Sequence, residues 1–122
     1  MIDHVSLYVD DYARAKEFFL KALKPLRYEL IMEFPSAGGL GVDGKPDLWI
    51  VAKGPEAKFS THLSFRADTH AEVDAFYEAA IAAGATDNGK PGPRPQYHEN
   101  YYGAFVIDLD GNNIEACCHK AA

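Results

Sequence analysis

The sequence predicts an α+β fold of two βαβββ modules in tandem, which form a concave mixed sheet with the helices outside. Three observations predict it: an internal repeat, an amphipathic helix in each copy, and short strand-like segments after each helix. A shift of 58 residues aligns residues 4–23 with residues 62–81 without a gap. Six aligned positions are identical, among them His4 with His62 and Phe18 with Phe76. The repeat therefore indicates two copies of one structural unit.

Each copy begins with a strand that is followed by a helix. In the first copy Val5, Leu7 and Val9 alternate with polar or half-polar residues, which is the period of a strand with one buried face. The apolar residues that follow recur at i, i+3, i+4, i+7 and i+8 in both copies, and this spacing predicts one buried helix face. These residues are Ala15, Phe18, Phe19, Ala22 and Leu23 in the first copy, and Val73, Phe76, Tyr77, Ala80 and Ile81 in the second.

The ends of the two helices carry recognisable signals. Thr69 and Glu72 have the spacing of a capping box, so the second helix is expected to begin just after Thr69. Gly84 suits the end of that helix because glycine readily adopts left-handed geometry. Pro25 disfavours helical geometry at Lys24 and is expected to stop the first helix.

Short strands, separated by Gly and Pro, follow each helix. The predicted strands are Tyr28–Phe34, Leu40–Val42 and Leu48–Ala52 in the first module, and about Thr86–Asn88, then Tyr102–Asp108 and Asn113–Cys118 in the second. Asp110 and Gly111 predict a hairpin turn between the last two strands. Residues 89–102 contain three prolines and two glycines, which predicts a long irregular loop. We expect a single domain, 1–122, with module one at 1–54 and module two at 60–122.

Composition excludes several classes of function. The formal charge is −6 and no cluster of Lys and Arg is present, so a nucleic-acid partner is not expected. No apolar run approaches the length of a membrane span, so no membrane partner is expected either. The only cysteines, Cys117 and Cys118, are adjacent and unsuited to pairing with each other. A cytoplasmic protein is the expectation that fits this cysteine usage.

The duplicated histidines are the first candidate site residues. His4 and His62 open the first strand of their modules, on the face opposite the helix-packing residues. A single histidine on a strand is usually a surface residue, but two related by internal symmetry favour a ligand role. Four more side chains share this face and are predicted to bind substrate: Ser6, Tyr8, Ser64 and Arg66.

Glu115 is the third candidate ligand. It stands between Ile114 and Ala116 in an otherwise apolar strand that follows a tight turn. An edge strand with its carboxylate in water is the alternative interpretation. Two imidazoles and one carboxylate form a donor set for Zn, Ni, Mn or Fe that leaves coordination positions open for substrate oxygens. Cys117 shares the face of Glu115 and is interpreted as a small buried hydrophobic residue, and His119 as an exposed residue near the end of the last strand.

The chain resembles the vicinal-oxygen-chelate superfamily, which includes glyoxalase I, extradiol dioxygenases, fosfomycin-resistance transferases and bleomycin-resistance proteins. "DHVSLYVDDYARAKEFF" resembles its opening strand and helix, "THLSFRA" the start of its second module, and "FVIDLDGNNIEACC" its closing hairpin. By position, the resemblance implies that His4, His62 and Glu115 bind a divalent metal. The fourth metal ligand of glyoxalase I, a glutamate in the last strand of module one, is missing here, since Trp49 or Ile50 stands in its place.

The resemblance implies chemistry on a small substrate with two neighbouring oxygens, of the lyase or ring-cleaving dioxygenase type. Glu115 is then also a candidate base, and His98 is a second acid–base candidate because histidine titrates near neutral pH. Three tyrosines beside His98 are further base candidates and are expected to bind substrate as a pocket wall or lid: Tyr97, Tyr101 and Tyr102.

Two questions stay open at the level of sequence. The first is whether the protein is a metal-dependent enzyme or a non-catalytic module that binds a small molecule or drug, like the bleomycin-resistance proteins. The second concerns assembly. The family commonly forms homodimers, and the three ligands of one site can come from one chain or from two.

Overall fold

The computed structural model describes residues 2–53 and 60–122, and it confirms the predicted α+β fold of two βαβββ modules. In the described part of the chain, module one contains β1 (Val5–Val9), α1 (Tyr12–Ala22), a short 3₁₀ helix (Lys24–Leu26), β2 (Glu29–Phe34), β3 (Ala37–Val42) and β4 (Lys45–Ala52). Module two contains β5 (His62–Arg66), α2 (His70–Ala82), β6 (Thr86–Pro93), β7 (Tyr102–Ile107) and β8 (Asn113–Cys118).

Both modules have the same strand order. Sheet A has the order β1-β4-β3-β2 and sheet B the order β5-β8-β7-β6. In each sheet the first strand runs parallel to the last strand of its module, and the remaining pairs are antiparallel. The internal repeat of the sequence is therefore a repeat of topology. As a consequence, β1 and β5 lie at sheet edges and carry His4 and His62 just before or at their first residues.

The helices cover one face of the sheets and form the core with it. The predicted apolar face of α1 is buried, whereas that of α2 is buried at Val73, Phe76 and Ala80 but not at Tyr77 and Ile81. The two helices also pack on each other. Phe18 and Phe19 contact each other edge to face at 5.0 Å between ring centroids, and Phe76 is fully buried. Because the helices occupy this face, the opposite face of each sheet is left open for a site. We call it the open face.

The start of α2 has the predicted cap. The Thr69 hydroxyl accepts a hydrogen bond from the backbone N–H of Glu72 at 3.1 Å. The Glu72 carboxylate accepts one from the backbone N–H of Asp68 at 2.6 Å, one residue before the position expected for a standard capping box. Its other oxygen accepts from the Arg27 guanidinium, which ties the 3₁₀ segment of module one to α2.

Replacement of Thr69 by alanine is expected to lower the free energy of unfolding by about 1 kcal/mol, because one backbone N–H of the first turn loses its partner. Urea denaturation of Thr69→Ala beside Thr69→Ser measures this. The serine variant keeps the hydroxyl and is expected to stay near the native value. Equal loss in both variants would contradict a capping role.

Two strands of module one begin three residues earlier than the sequence predicts. β3 begins at Ala37 rather than at Leu40, because Gly38 and Gly39 belong to the strand and not to a connecting segment. A Cβ atom at Gly38 would lie 2.2 Å from the Tyr12 hydroxyl, so glycine allows this strand to approach the phenol of α1. β4 likewise begins at Lys45 rather than at Leu48, after a turn whose two residues have positive φ.

The prediction of a long irregular loop at residues 89–102 was wrong for residues 89–93. β6 continues to Pro93, and the irregular segment is reduced to residues 94–101. β6 is the edge strand of sheet B, where proline is tolerated because one side of the strand needs no donors. The pairing of β6 with β7 shifts register on both sides of Gly89, and these shifts accommodate the residues that do not fit a regular strand.

Within the described ranges, neither helix has the length and apolar character needed to cross a membrane.

Candidate functional site

The open face of sheet B contains a buried carboxylate. Glu115 lies in the middle of β8, which pairs with β5 on one side and β7 on the other. The side chain is only 2% exposed although it points away from the helices. Burying a carboxylate is costly unless hydrogen bonds compensate for the lost water. The contacts of Glu115 therefore define the site.

Both oxygens of Glu115 have a partner. His62 Nε2 lies 2.9 Å from Glu115 Oε1, and the Tyr101 hydroxyl donates a hydrogen bond to Oε2. Burial and the neighbouring carboxylate raise the pKa of Tyr101 well above the ordinary value of a phenol, so Tyr101 keeps its proton and acts as the donor. The His62 ring is about half exposed and forms the open side of the group.

The β7–β8 hairpin places His62 beside Glu115. The buried Asp108 carboxylate accepts hydrogen bonds from the backbone N–H groups of Asp110 and Asn112 and from the Asn112 side chain. Asn112 in turn accepts a hydrogen bond from the backbone N–H of Thr61 at 2.8 Å. The turn therefore holds the residue that precedes His62 at a fixed position relative to β8.

Replacement of Asn112 by alanine is expected to lower the free energy of unfolding by about 1–3 kcal/mol, since a buried Asp108 oxygen and the Thr61 N–H lose their partner. Urea denaturation checks the value. Asn88→Ala, which removes an exposed contact of 3.3 Å, is the control and is expected to cost much less. Equal effects of the two substitutions would argue against an anchoring role for Asn112.

A second group of polar side chains adjoins Glu115. Cys117 lies two residues further along β8 on the same face, and its Sγ is 3.3 Å from the Ser64 hydroxyl and 3.7 Å from His119 Nε2. His119 Nδ1 lies 2.5 Å from His98 Nε2. The predicted acid–base candidate His98 is therefore connected to the rim of the site through His119 and does not itself touch Glu115.

His4 does not lie close to the other two predicted ligands, His62 and Glu115. Its Nδ1 lies 2.7 Å from Asp3, a carboxylate that also pairs with Lys45 at 3.0 Å. Among residues 2–53 and 60–122, no three His, Cys, Asp or Glu side chains are close enough together to hold a metal ion. The described chain thus places His62 and Glu115 together, and His4 elsewhere, directly before the edge strand of sheet A.

Sheet A has an aromatic residue at the position where sheet B has Glu115. β1 pairs Ser6 with Trp49 as β5 pairs Ser64 with Glu115, so Trp49 is the counterpart of Glu115. Ile50, the other candidate for that place, is fully buried on the helix side. Trp49 stacks on Phe34 with 6.2 Å between ring centroids. The open face of sheet A is therefore largely aromatic, and Tyr8 on it is half exposed.

The predicted tyrosines separate into two groups. Tyr101 reaches Glu115, and Tyr97 contacts Tyr101 edge to face at 5.0 Å while remaining exposed. Tyr102 points the other way: its hydroxyl donates to Asp74 of α2 at 2.7 Å and its ring stacks on His70. Tyr102 therefore lies on the helix side and is not part of the open face.

The remaining predicted substrate residue of module two, Arg66, is exposed at the end of β5. It lines a crevice of about 280 Å³ between the edge strands β1 and β5, together with His4 and Ser64. The crevice is the place where predicted residues of both modules approach each other.

Sequence reasoning missed three residues of the site. His119 was interpreted only as exposed, although strand alternation from Glu115 through Cys117 places it on the same face. Phe105 is paired with Glu115 across β7 and β8, and its ring is 6.3 Å from that of His62. The Arg94 guanidinium lies over Phe105 at 5.4 Å. The register of the β7–β8 hairpin would have indicated Phe105 and, with it, Arg94. The sequence does not show this register, because the irregular segment before β7 hides where that strand begins.

Several known structures resemble this fold closely. A glyoxalase/bleomycin resistance protein from Albidiferax ferrireducens T118 is 27% identical, with a TM-score of 0.76 over 96% of this chain and 97% of that one. A glyoxalase/bleomycin resistance protein/dioxygenase family enzyme from Burkholderia phytofirmans PsJN is 22% identical, with a TM-score of 0.75 over 98% of each chain. Lactoylglutathione lyase from Agrobacterium tumefaciens is 20% identical, with a TM-score of 0.72 over 97% of this chain and 92% of that one, and at this identity the likeness shows the fold alone.

No curated protein shows significant sequence similarity to the chain. The model of one protein family matches residues 1–116, which is nearly the whole sequence, and its description is the Glyoxalase/Bleomycin resistance protein/Dioxygenase superfamily. The duplicated βαβββ modules and the strand order agree with that assignment. The chain therefore belongs to the glyoxalase/bleomycin resistance protein/dioxygenase superfamily.

Proposed function

We propose that the protein is a metal-dependent enzyme that acts on a small substrate with two neighbouring oxygen atoms. The observation that supports this most is the pair formed by His62 and the buried Glu115 on the open face of sheet B. An imidazole nitrogen and a carboxylate oxygen are donors that suit Zn, Ni, Mn or Fe. A divalent ion held there would polarise the substrate oxygens and stabilise negative charge that develops on them.

The donor set fits a metal only when a third ligand is added, and we assign that role to His4 of a second copy of the chain. His4 stands on the edge of sheet A, next to an open face that exposes Tyr8 and Phe34 by about half of their surfaces, 50% and 53%. Exposed apolar residues of this kind favour coverage by a partner surface. In the proposed homodimer, sheet A of one protomer faces sheet B of the other.

The other residues of the open face have separate roles in this proposal. Glu115 Oε1 would accept a proton from the substrate only when that oxygen is not bound to the ion. The imidazoles of His98 and His119 exchange a proton at the rim of the site, because their nitrogens are in contact. Ser64 and Arg66 from β5, with Ser6 and Tyr8 from sheet A, contact the substrate.

Metal analysis of protein that was purified without chelator tests the proposal. The native protein is expected to hold one divalent ion per chain, while His62→Ala and Glu115→Gln are expected to hold none after the same purification. Glu78→Gln, an exposed substitution on α2, is the matched control for loss of a carboxylate and is expected to keep the ion. A native protein that binds none of the four metals in titration would refute the metal-dependent function.

A non-catalytic binding module is the second candidate, and the aromatic counterpart of Glu115 favours it. Trp49 and Phe34 offer a stacked apolar surface where a second acid would otherwise stand. Because Trp49 is the only tryptophan, its fluorescence reports binding to that surface. Bleomycin that quenches Trp49 equally in chelator-treated native protein and in Glu115→Gln would support this candidate. Quenching that needs both metal and Glu115 would count against it.

A further inference from the structure

We propose that Arg94 binds a carboxylate group of the substrate on the open face of sheet B. The inference rests on the function proposed above only in placing the substrate on this face, and it names a chemical class, a monocarboxylate. Arg94 directly follows β6, and its guanidinium lies over the Phe105 ring at 5.4 Å. Because Phe105 is the strand partner of Glu115, both side chains lie on the open face, and so does the guanidinium.

The guanidinium of Arg94 is a partly buried cation that is held only by backbone carbonyls. Nη1 donates to Gly92 and Pro93 at 2.9 and 3.3 Å, and Nη2 donates to Lys90 at 2.8 Å. None of the ion pairs in the part of the chain that the structure describes includes Arg94. A guanidinium has five N–H donors, so three carbonyls leave at least two of them for a ligand. Donors in one plane suit the two oxygens of a carboxylate.

The end of β6 leaves room for this guanidinium. A Cβ atom at Gly89 would lie 3.2 Å from Arg94 Nη2, and one at Gly92 would lie 3.3 Å from Nη1. The backbone of Arg94 is held as well, since its N–H donates to the Tyr101 carbonyl at 2.7 Å and its carbonyl accepts from the Tyr97 N–H at 2.9 Å. Main chain and guanidinium are therefore fixed before a ligand arrives, which lowers the entropy lost on binding.

The Phe105 ring lies between Arg94 and the pair of His62 and Glu115. The ring of His62 is 6.3 Å from that of Phe105, and the two rings are tilted to each other. A carboxylate held by Arg94 would therefore leave the rest of the substrate beside this ring and close to His62. The neighbouring Glu115 and the formal charge of −6 disfavour a dianion such as a phosphate monoester more than a monoanion. The charges thus favour a carboxylate as the ligand group.

The test uses benzoate and benzamide, which share a shape and differ in charge, and phenyl phosphate as the dianion. Binding to chelator-treated protein is followed by NMR titration, so the result does not depend on a metal ion. The reporter is the side-chain Nε–H signal of Arg94 in native protein, identified as the signal that is missing from Arg94→Gln and from Arg94→Lys. Arg14→Gln, which removes an exposed guanidinium from α1, is the matched control.

We expect benzoate to shift the Arg94 signal of native protein and benzamide to leave it in place. Arg94→Gln is expected to weaken benzoate binding by about 10- to 100-fold, the range for lost hydrogen bonds to a charged group. Benzamide binding is expected to stay at its native value in this variant, and Arg14→Gln to bind both compounds as native protein does. Equal changes in benzoate and benzamide binding would show that Arg94 is only a structural support, and would overturn the inference.

Three further outcomes separate the inference from the proposed function. Phenyl phosphate that binds more tightly than benzoate would overturn the assignment of a carboxylate. Native protein that binds metal, but whose Arg94 signal responds to neither anion, would refute the inference alone. Native protein that binds benzoate at Arg94 but no metal would refute the metal-dependent function and support the carboxylate site.

Discussion

Mixing His4→Ala chains with Glu115→Gln chains is expected to restore metal binding to about a quarter of the sites, although neither variant binds metal alone. In a twofold dimer with shared sites, a mixed dimer has one site that lacks both groups and one that is intact. Random mixing makes about half of the dimers mixed, so about a quarter of all sites recover. The two variants are unfolded and refolded together, and metal is counted after gel filtration.

A second mixture controls for incidental effects of refolding. His62→Ala and Glu115→Gln change the same module, so every site of their mixed dimer lacks one of the two groups that the structure places together. This mixture is expected to bind no metal. If the first mixture also fails while native protein recovers its metal after the same treatment, the ligands come from one chain and the shared site is refuted.

Phe76→Ala is expected to cost about 3–5 kcal/mol of the free energy of unfolding, the range for a buried phenylalanine. Phe76 is 0% exposed and lies on the face of α2 that packs against sheet B. A typical domain has only about 5–15 kcal/mol to lose, so this single change leaves little stability. Urea denaturation followed by far-UV circular dichroism gives the value.

Ile81→Ala on the same helix is the control for Phe76→Ala. Ile81 is 37% exposed, and its removal is expected to cost well under half as much. The comparison also tests the sequence prediction, which placed both residues on one buried face. Equal costs would mean that α2 contributes to the core through a broader face than the structure shows.

Much of the fold was predictable because the modules repeat. The alignment of His4 with His62 carries the whole strand–helix start of one module onto the other, and the two sheets indeed share one strand order. The boundary errors arose where contacts between distant residues decide the outcome. Gly38 extends β3 because Tyr12 approaches it, and proline in β6 is tolerated only because that strand is at an edge.

The candidate site was predictable in part. Strand alternation placed Glu115 and Cys117 on one face, and the structure brings Glu115 and His62 within hydrogen-bond distance. The sequence could not show that Tyr101 lies on the open face and Tyr102 on the helix side, because the face of each residue depends on where β7 begins. The position of His4 relative to Glu115 depends on how the two modules pack, which a repeat does not determine.

The pairing of Trp49 with Ser6, where the other module pairs Glu115 with Ser64, separates the two halves of the repeat in chemical character. A symmetrical ancestor with the same residue in both places would present two identical half-sites. Here one half supplies the acid and the other an aromatic surface, so the halves are complementary and no longer interchangeable. A molecule that lay between the two faces would meet a carboxylate on one side and aromatic rings on the other.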